Sequence, residues 1–408
     1  MEYGLIGEKL GHSYSGVIHK KIGNYSYELC EIEREGLPQF FGERNFKGIN
    51  ITIPYKKDAM EFLDFISPEA EKIGSVNTVV NLGGKLYGYN TDIAGFLYMA
   101  RRAGISLTGK KVVILGSGGT SLTARAACEL SESAEIVTVS RHGEWNYDNI
   151  KCHYDAEVLI NTTPVGMFPN VENSPVSLKP FTKLSGVIDV IYNPVRTELI
   201  MEAEALGIKC TSGLPMLAAQ AVYAYDHFFG KESGEELFEK IISETDAEME
   251  NIVLIGMPGC GKSTVGQELA RLLSREFIDT DEYIEKQKNT EIPKLFEAFG
   301  EEGFRLIEGD VARTVGMLSG KVIATGGGIV TKHENYKSLH RNGRIFYISR
   351  DLDLLDLSGR PLSKSREAVF ELYEKRHDLY VQFADFSVEN NGSIDECVKK
   401  ILQNCYKG

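Results

Sequence analysis

Short apolar runs alternate along the chain with stretches in which apolar residues recur every three or four positions. Lys111–Leu115 (KVVIL) and Asn251–Ile255 (NIVLI) are such runs, and each leads into a glycine-rich segment followed by a helical pattern. This order predicts a buried strand, a turn and a helix. Two such units predict two nucleotide-binding sites in one chain.

The remaining pattern predicts the domain organisation. Residues 1–93 contain the strand-like pieces EYGLIG, GINITIP, NTVVN and LYGYN, which are enough for a separate small α/β domain. Residues 231–250 are acidic with apolar residues at helical spacing, which predicts a terminal helix followed by a short charged linker. The expected units are a small domain over 1–93 completed by helices returning at about 213–243, a Rossmann-like domain over 94–212, a linker at 244–250, and a P-loop domain over 251–408.

The composition of the chain narrows the classes of molecule that we expect it to bind. The chain has 408 residues, 42% of them hydrophobic, and a formal net charge of −13, which argues against broad contact with nucleic acid or anionic membranes and favours small-molecule substrates. Seven cysteines without CxxC or Cys/His spacing predict neither a disulfide framework nor a zinc site. The first residues show no export signal, and no apolar stretch is of membrane-spanning length, so we expect a cytoplasmic protein.

The first glycine-rich segment follows KVVIL and precedes a helical pattern, the context of a dinucleotide turn. Glycines let the backbone approach a pyrophosphate, and the helix N-terminus presents free N–H groups to it. Arg141 stands where an NAD site usually has Asp or Glu, and its guanidinium suits a 2′-phosphate, so NADP(H) is favoured. A plain tight turn and a solvated surface arginine are the alternatives. The expected NADP-binding residues are Gly116, Ser117, Gly118, Gly119, Thr120, Ser121, Ser140, Arg141 and Gly213.

The second glycine-rich segment, GMPGCGKST, is a complete P-loop between a strand and a helix. Backbone N–H groups of such a loop cradle the phosphates of ATP, Lys262 reaches the β- and γ-phosphates, and the Ser263 hydroxyl coordinates Mg²⁺. Cys260 occupies a variable position and is expected to be a small filler. The expected ATP-binding residues are Gly256, Gly259, Cys260, Gly261, Lys262, Ser263 and Thr264.

The motifs of the first 230 residues resemble, in order and spacing, those of shikimate dehydrogenases. They are Gly4–Gly7 with His12–Ser15, Gly48–Lys56, Asn77–Thr78, Gly88–Asp92, Asn161–Met167, Asp189–Pro194 and Gly213–Leu217 leading to Gln220. The resemblance implies that Lys56 and Asp92 are catalytic, an assignment that fits ketone reduction because a lysine–carboxylate pair can protonate the developing alkoxide. Without the resemblance, Lys56 would be a surface lysine and Asp92 a helix cap.

The same resemblance implies a set of hydrogen-bonding residues for the substrate carboxylate and hydroxyls. They are Ser13, Ser15, Thr52, Asn77, Tyr192 and Gln220. Two departures from the family pattern are Lys9, where proline is frequent, and His142, where the phosphate-binding motif commonly has threonine. The second departure bears on the strength of the preference for NADP.

The motifs of residues 251–408 resemble those of shikimate kinases. They are Asp279–Asp281, Phe304–Glu308, Thr325–Gly328, Arg360–Leu362, and Lys375–Arg376 with Leu379–Tyr380. The resemblance implies that Asp279 lies near Mg²⁺, that Asp281 contacts the acceptor hydroxyl as a base, and that Arg305 and Arg376 bind the substrate carboxylate. It also implies that Gly326, Gly327 and Gly328 admit the substrate ring and that Arg360, on a lid at about 353–367, reaches the ATP phosphates.

Taken together, the patterns and the two resemblances imply an α/β chain with a substrate domain, a Rossmann-like NADP domain and a parallel-sheet domain like that of nucleoside monophosphate kinases. The implied function is reduction of 3-dehydroshikimate followed by phosphorylation of shikimate. A quinate/shikimate dehydrogenase joined to another small-acid kinase is one alternative. A fusion in which one half only senses a ligand is the other, against which the retention of Lys56, Asp92, Lys262 and Asp281 speaks.

Overall fold

Three β-sheets organise the part of the chain that the structure, a computed structural model, describes: residues 1–11, 13–355 and 366–405. The first two sheets belong to one unit, formed by residues 1–192 and 197–245. The third sheet belongs to a second unit, formed by residues 193–196 and 246–408.

The first sheet is mixed and has the strand order β2-β1-β3-β5-β6-β4. Its core is built from the inward faces of β1, β3, β5 and β6, where residues such as Ile6, Ile49 and Val79 are fully buried. β3 pairs antiparallel with β5, and β5 pairs antiparallel with β6. The elements are β1 Tyr3–Gly7, α1 Ser15–Ile22, β2 Glu28–Glu31, α2 Leu37–Glu43, β3 Gly48–Ile51, β4 Phe65–Ile66, α3 Pro68–Ile73, β5 Thr78–Leu82, β6 Lys85–Tyr89 and α4 Thr91–Arg102.

The second sheet is entirely parallel, with the order β11-β10-β9-β7-β8. Helices cover both faces, which is why the strand Val112–Leu115 is a continuous apolar run that is completely buried. The expected Rossmann-like architecture is therefore confirmed. Its elements are β7 Lys111–Leu115, α5 Gly119–Leu130, β8 Glu135–Val139, β9 Val158–Asn161, β10 Gly186–Asp189, α6 Glu198–Ala205 and β11 Lys209–Thr211.

Two helices follow the second sheet, α7 Leu214–Phe229 and α8 Glu235–Met249, and the first unit ends within α8 at Thr245. α7 packs against α4 and α1, and it approaches α4 so closely that a Cβ at Gly95 would lie 2.8 Å from the carbonyl oxygen of Met216. α8 extends through the segment where the sequence predicts a linker. Thr245 is buried there and donates to the carbonyl of Ile241, so this segment is helical up to Met249 rather than irregular.

The third sheet is also parallel, with the order β13-β14-β12-β15-β16, and helices lie on both faces, as expected for a P-loop domain. The elements are β12 Asn251–Ile255, α9 Lys262–Leu273, β13 Phe277–Asp279, α10 Thr280–Lys288, α11 Ile292–Gly316 with a kink at Gly300, β14 Val322–Ala324, α12 Glu334–His340, β15 Gly343–Ser349, α13 Arg366–Phe383, β16 Phe386–Glu389 and α14 Ile394–Cys405. None of the helices in the described ranges is long and apolar enough to cross a membrane.

Candidate active sites

A cavity of about 450 Å³ in the first unit collects the residues predicted for catalysis and substrate binding. All eight of them line it: Ser13, Ser15, Thr52, Lys56, Asn77, Asp92, Tyr192 and Gln220. Thr52 and Lys56 follow β3, Asn77 precedes β5, and Asp92 opens α4 directly after β6. Pairing of β3, β5 and β6 therefore brings together residues that are distant in sequence.

Lys56 and Asp92 form an ion pair in this cavity, with 2.5 Å between Lys56 Nζ and Asp92 Oδ2. The two side chains are 28% and 16% exposed, so the pair is partly shielded from water yet reachable from the cavity. The side chain of Asn90 caps α4 by accepting from the amides of Asp92 and Ile93. The carboxylate of Asp92 is thus not used as the helix cap.

Asn77 holds the second oxygen of this carboxylate. Its Nδ2 donates to Asp92 Oδ1 at 2.9 Å, while its Oδ1 accepts from the amide of Thr91 at 2.7 Å. The amide side chain is buried, and both of its ends bind the start of α4. Asn77 therefore fixes the orientation of Asp92, a function in addition to the substrate contact that the resemblance implies.

The prediction from sequence missed other residues that line this cavity, among them Asn50, Tyr14 and Met216. Asn50 accepts from the Tyr27 hydroxyl and donates to Thr78 Oγ1, while Tyr14 makes an edge contact with the Tyr192 ring. Asn50 stands two positions before Thr52, so the side-chain alternation of a strand is a signal that could have identified it.

The dinucleotide turn lies between β7 and α5, as its sequence context predicts. Gly116 has φ +106°, a conformation that favours glycine, and a Cβ added at Gly118 or Gly119 would meet open space. Ser121 donates its hydroxyl to the carbonyl of Gly118 and so closes the turn. Thr120 and Gly213 line the cavity itself, and Ser140 and Arg141 follow β8 with the Arg141 side chain exposed. An open glycine turn at the N-terminus of a 12-residue helix fits a pyrophosphate.

A buried carboxylate organises the neighbouring loops. Asp189, at the end of β10, accepts from Asn161 Nδ2 at 3.0 Å, from Thr197 Oγ1 at 2.7 Å and from the amide of Ile191. Burial raises its pKa to about 6, although these hydrogen bonds act in the opposite direction. The bond to Ile191 fixes the chain immediately before Tyr192 and thereby positions that ring in the cavity.

The P-loop of the second unit connects β12 to α9. Gly256, Gly259 and Gly261 have φ of +147°, +82° and +96°, so the loop depends on glycine at these positions. Lys262 is buried and donates to the carbonyls of Gly256 and Met257 at 2.9 and 3.0 Å. The ammonium group therefore lies across the loop where phosphates are expected.

The residues predicted near Mg²⁺ are in contact. Ser263 Oγ donates to Asp279 Oδ2 at 2.7 Å, and the other oxygen of Asp279 caps α10. Thr264 is exposed beside them, whereas Cys260 is fully buried, in keeping with a filler. The described residues contain no cluster of three or more His, Cys, Asp or Glu side chains suited to a metal. A hydroxyl and one carboxylate are the protein ligands that Mg²⁺ needs when it binds together with nucleotide phosphates.

Arg305 lies at the predicted acceptor site and is 6% exposed. It is paired with Glu308 at 2.7 Å and with Glu301 at 3.2 Å, and its buried Nε has no hydrogen-bond partner within the described ranges 1–11, 13–355 and 366–405. Burial raises the pKa of Glu308 to about 7 despite the neighbouring guanidinium. Glu308 ends the Phe304–Glu308 motif that resembles those of shikimate kinases, but no role was predicted for it from the sequence.

The glycine triplet packs against these side chains. A Cβ at Gly326 would lie 2.6 Å from Asp281 Oδ1, and one at Gly328 would clash with Arg305 Nη1. Arg376 donates to the carbonyl of Gly327 at 3.0 Å. The structure thus brings the predicted acceptor residues together around the triplet. Arg360, and with it most of the predicted lid at 353–367, lies outside the described residues.

The two units of the chain are similar to two different families of known proteins. The family model described as Shikimate dehydrogenase substrate binding domain matches residues 5–79, and the one described as Shikimate kinase matches residues 258–406. The NADP(+) shikimate dehydrogenase of Clostridium perfringens is 36% identical over 264 residues, which cover 59% of this chain and 97% of that relative.

Solved structures give the same result for the first unit. A chorismate mutase/shikimate 5-dehydrogenase fusion protein from Clostridium acetobutylicum is 35% identical with a TM-score of 0.57, covering 60% of this chain and 96% of that one. Shikimate 5-dehydrogenase from Thermus thermophilus, solved in complex with NADP(H) and shikimate, is 30% identical with a TM-score of 0.54, covering 60% of this chain and 99% of that one.

Proposed function

Because the chain belongs to the shikimate dehydrogenase family and carries a shikimate kinase domain behind it, we propose that it reduces 3-dehydroshikimate to shikimate with NADPH and then phosphorylates shikimate to shikimate 3-phosphate with MgATP. The observation that carries the first half is the Lys56–Asp92 pair in a cavity with all six predicted substrate-binding residues. The second half rests on a P-loop and an arginine-lined acceptor site in one unit.

In the reduction, bound NADPH would supply the hydride for the carbonyl carbon of the substrate. The Lys56 ammonium donates a proton to the carbonyl oxygen as negative charge develops there, so that ketone, hydride and proton give the alcohol and NADP⁺. Asp92 accepts a hydrogen bond from the same ammonium and keeps it directed into the cavity. Neutral donors such as Ser13, Thr52 and Gln220 suit the substrate hydroxyls and carboxylate, since they bind polar groups at little desolvation cost.

The cofactor would lie along the open glycine turn. Residues from Gly116 to Ser121 would hold its pyrophosphate at the N-terminus of α5, and Gly213 would border it in the cavity. Arg141, which is exposed after β8, would bind the 2′-phosphate with Ser140 beside it. This arrangement accounts for a preference for NADP(H) over NAD(H).

In the phosphorylation, the chain's own groups position the acceptor and stabilise charge. Lys262 and the P-loop amides would hold the phosphates, with Ser263 and Asp279 beside the metal, whose role is to neutralise phosphate charge. Arg305 and Arg376 would bind the substrate carboxylate bidentately, and the buried Nε of Arg305, which donates to no residue in the described part of the chain, is a further donor. Asp281 would then accept the proton of the hydroxyl that attacks the γ-phosphate.

The experiment is incubation of the purified chain with 3-dehydroshikimate, NADPH and MgATP, with products identified by mass spectrometry. We expect shikimate 3-phosphate with all reagents, shikimate alone without ATP, and no phosphorylated product without NADPH. Shikimate supplied directly should be phosphorylated without NADPH. Phosphoryl transfer from ATP to shikimate makes the overall sequence favourable even where the reduction is reversible.

The two alternatives predict other products. A different small-acid kinase would phosphorylate an acid such as gluconate in preference to shikimate. A sensor would bind its ligand in one unit without turnover, so a steady-state assay of each activity separates it from an enzyme. We propose a cytoplasmic location and small-molecule substrates as the only partners of the activity.

A further inference from the structure

Two side chains of α13 donate to the same carbonyl oxygen of the glycine triplet. Arg376 Nη1 lies 3.0 Å from the carbonyl oxygen of Gly327, and the Tyr380 hydroxyl lies 2.5 Å from it. The two residues are four positions apart and therefore share one face of the helix. Both side chains are buried, Tyr380 completely.

Packing fixes the Tyr380 ring in this position. It stacks on the Tyr347 ring of β15, with 5.1 Å between the ring centroids and 13° between the planes. Burial raises the pKa of the Tyr380 hydroxyl, so it stays protonated and remains a donor at neutral pH. The Tyr380 hydroxyl is therefore a second donor to this carbonyl beside Arg376.

The position of Gly327 matters to both substrates of the kinase unit. A Cβ at Gly327 would lie 2.8 Å from the Pro258 ring of the P-loop, so the triplet touches the nucleotide site. On the other side, Gly326 packs against Asp281 and Gly328 packs against Arg305. A shift of this carbonyl would move the backbone that separates the two substrates.

The proposed bidentate contact draws Arg376 away from this carbonyl when its two terminal nitrogens, Nη1 and Nη2, both turn to the carboxylate. As long as its guanidinium donates to Gly327, part of its fork is not available to a substrate carboxylate. When Arg376 turns to the carboxylate, it gains a charge-assisted bond but leaves the carbonyl. Without a second donor, the carbonyl would be left unsatisfied in the bound state, and that cost would weaken binding.

We propose that Tyr380 is a positioning residue of the kinase site: it keeps the carbonyl of Gly327 hydrogen-bonded when Arg376 turns to the carboxylate of the acceptor. This inference rests on the proposed function of the kinase unit. In this role Tyr380 acts without a substrate contact of its own, and its effect on binding passes through Gly327 and Arg376.

The test is Tyr380→Phe, which removes one oxygen and keeps the packed ring. We expect the KM for shikimate to rise about tenfold, because in this variant the Gly327 carbonyl has no donor once shikimate is bound. The kcat and the KM for MgATP should change less than twofold. Tyr347→Phe is the matched control, since it removes a hydroxyl from the stacked partner ring, and it should leave all three constants near their wild-type values.

Combining Tyr380→Phe with Arg376→Met distinguishes the hydrogen-bonding role of Tyr380 from a role in packing alone. Arg376→Met removes the guanidinium and keeps the stem, so the state of the Gly327 carbonyl no longer changes when shikimate binds. We expect Tyr380→Phe to add nothing to the shikimate KM in that background. An equal rise in both backgrounds, or no rise in the wild type, would overturn the proposal.

Stability supplies an independent check should the Phe variant fold poorly. Arg376→Met alone should unfold in urea as a cooperative kinase unit, because Tyr380 still satisfies the carbonyl. Loss of the folded unit in this variant would show that Tyr380 cannot hold the carbonyl and would also refute the proposal. If the wild-type chain does not phosphorylate shikimate at all, the proposed function is wrong. If the wild type is active and Tyr380→Phe has an unchanged KM for shikimate, only the role proposed for Tyr380 is wrong.

Discussion

Replacement of Lys56 by Met tests the assignment of the proton donor. The substitution keeps a flexible chain of similar length in the cavity but removes the ammonium that lies 2.5 Å from Asp92. Loss of a positioned general acid costs about 10²- to 10⁴-fold in rate, which corresponds to about 3–5 kcal/mol of transition-state free energy. We expect kcat for the reduction of 3-dehydroshikimate to fall by such a factor, because the other predicted donors in the cavity are neutral.

The assay is NADPH oxidation at saturating 3-dehydroshikimate, with shikimate phosphorylation measured on the same preparation. The kinase activity should stay within twofold of wild type, since the P-loop and acceptor residues belong to the other unit. Lys57→Met is the matched control: it makes the same chemical change one residue along, at an exposed side chain, and should leave both activities intact.

Two results would refute this reasoning. A Lys56→Met variant that reduces the ketone at near wild-type kcat would remove Lys56 from the chemistry. Equal loss of both activities in a folded variant would contradict the assignment of the two activities to separate units. A change confined to KM would instead assign Lys56 to substrate binding.

Four further outcomes are expected. Arg141→Ala should raise the KM for NADPH far more than the KM for NADH, and equal changes would show that Arg141 does not select the cofactor. Fragments 1–249 and 250–408, a division that keeps α8 whole, should each fold and keep one activity, as measured by the two steady-state assays; an inactive but folded fragment would contradict this division. Arg305→Ala should weaken saturation by shikimate by roughly 2 kcal/mol or more while calorimetry shows unchanged MgATP binding, and the reverse pattern would require another acceptor. Finally, burial lowers the pKa of His19 to about 3. Below about pH 6.5 the imidazole is therefore protonated in the unfolded chain but stays neutral in the folded chain. Stability should therefore fall by about 2 kcal/mol between pH 7 and pH 5 from this residue, and His19→Gln should show a smaller fall in urea unfolding.

The features predictable from sequence are those whose residues are adjacent along the chain. Each P-loop or dinucleotide turn occupies a single segment, and its glycines are required by local backbone conformation, as the positive φ of Gly116 and Gly261 shows. The parallel sheets follow for a similar reason, because strands such as Val112–Leu115 must be apolar on both faces when helices cover both sides. Only the resemblance to families identified the scattered site residues.

Structure was needed wherever the partner of a residue lies far away in sequence. The Lys56–Asp92 pair spans 36 positions and depends on the pairing of β3, β5 and β6, while Asn90, not Asp92, caps α4. The expected linker is helical because Thr245 is buried and bonded to Ile241, a tertiary circumstance that charge patterning does not reveal.

For this protein, the sequence alone determined the fold class, the two nucleotide loops and the chemical types available at each site, because these depend on local conformation and on the apolar period of each element. Tertiary structure alone decided how the ionisable groups are paired. Burial raises the pKa values of Asp189 and Glu308, and packing places Tyr380 on the carbonyl of Gly327. Desolvation and hydrogen bonding depend on neighbours that only the folded chain brings together.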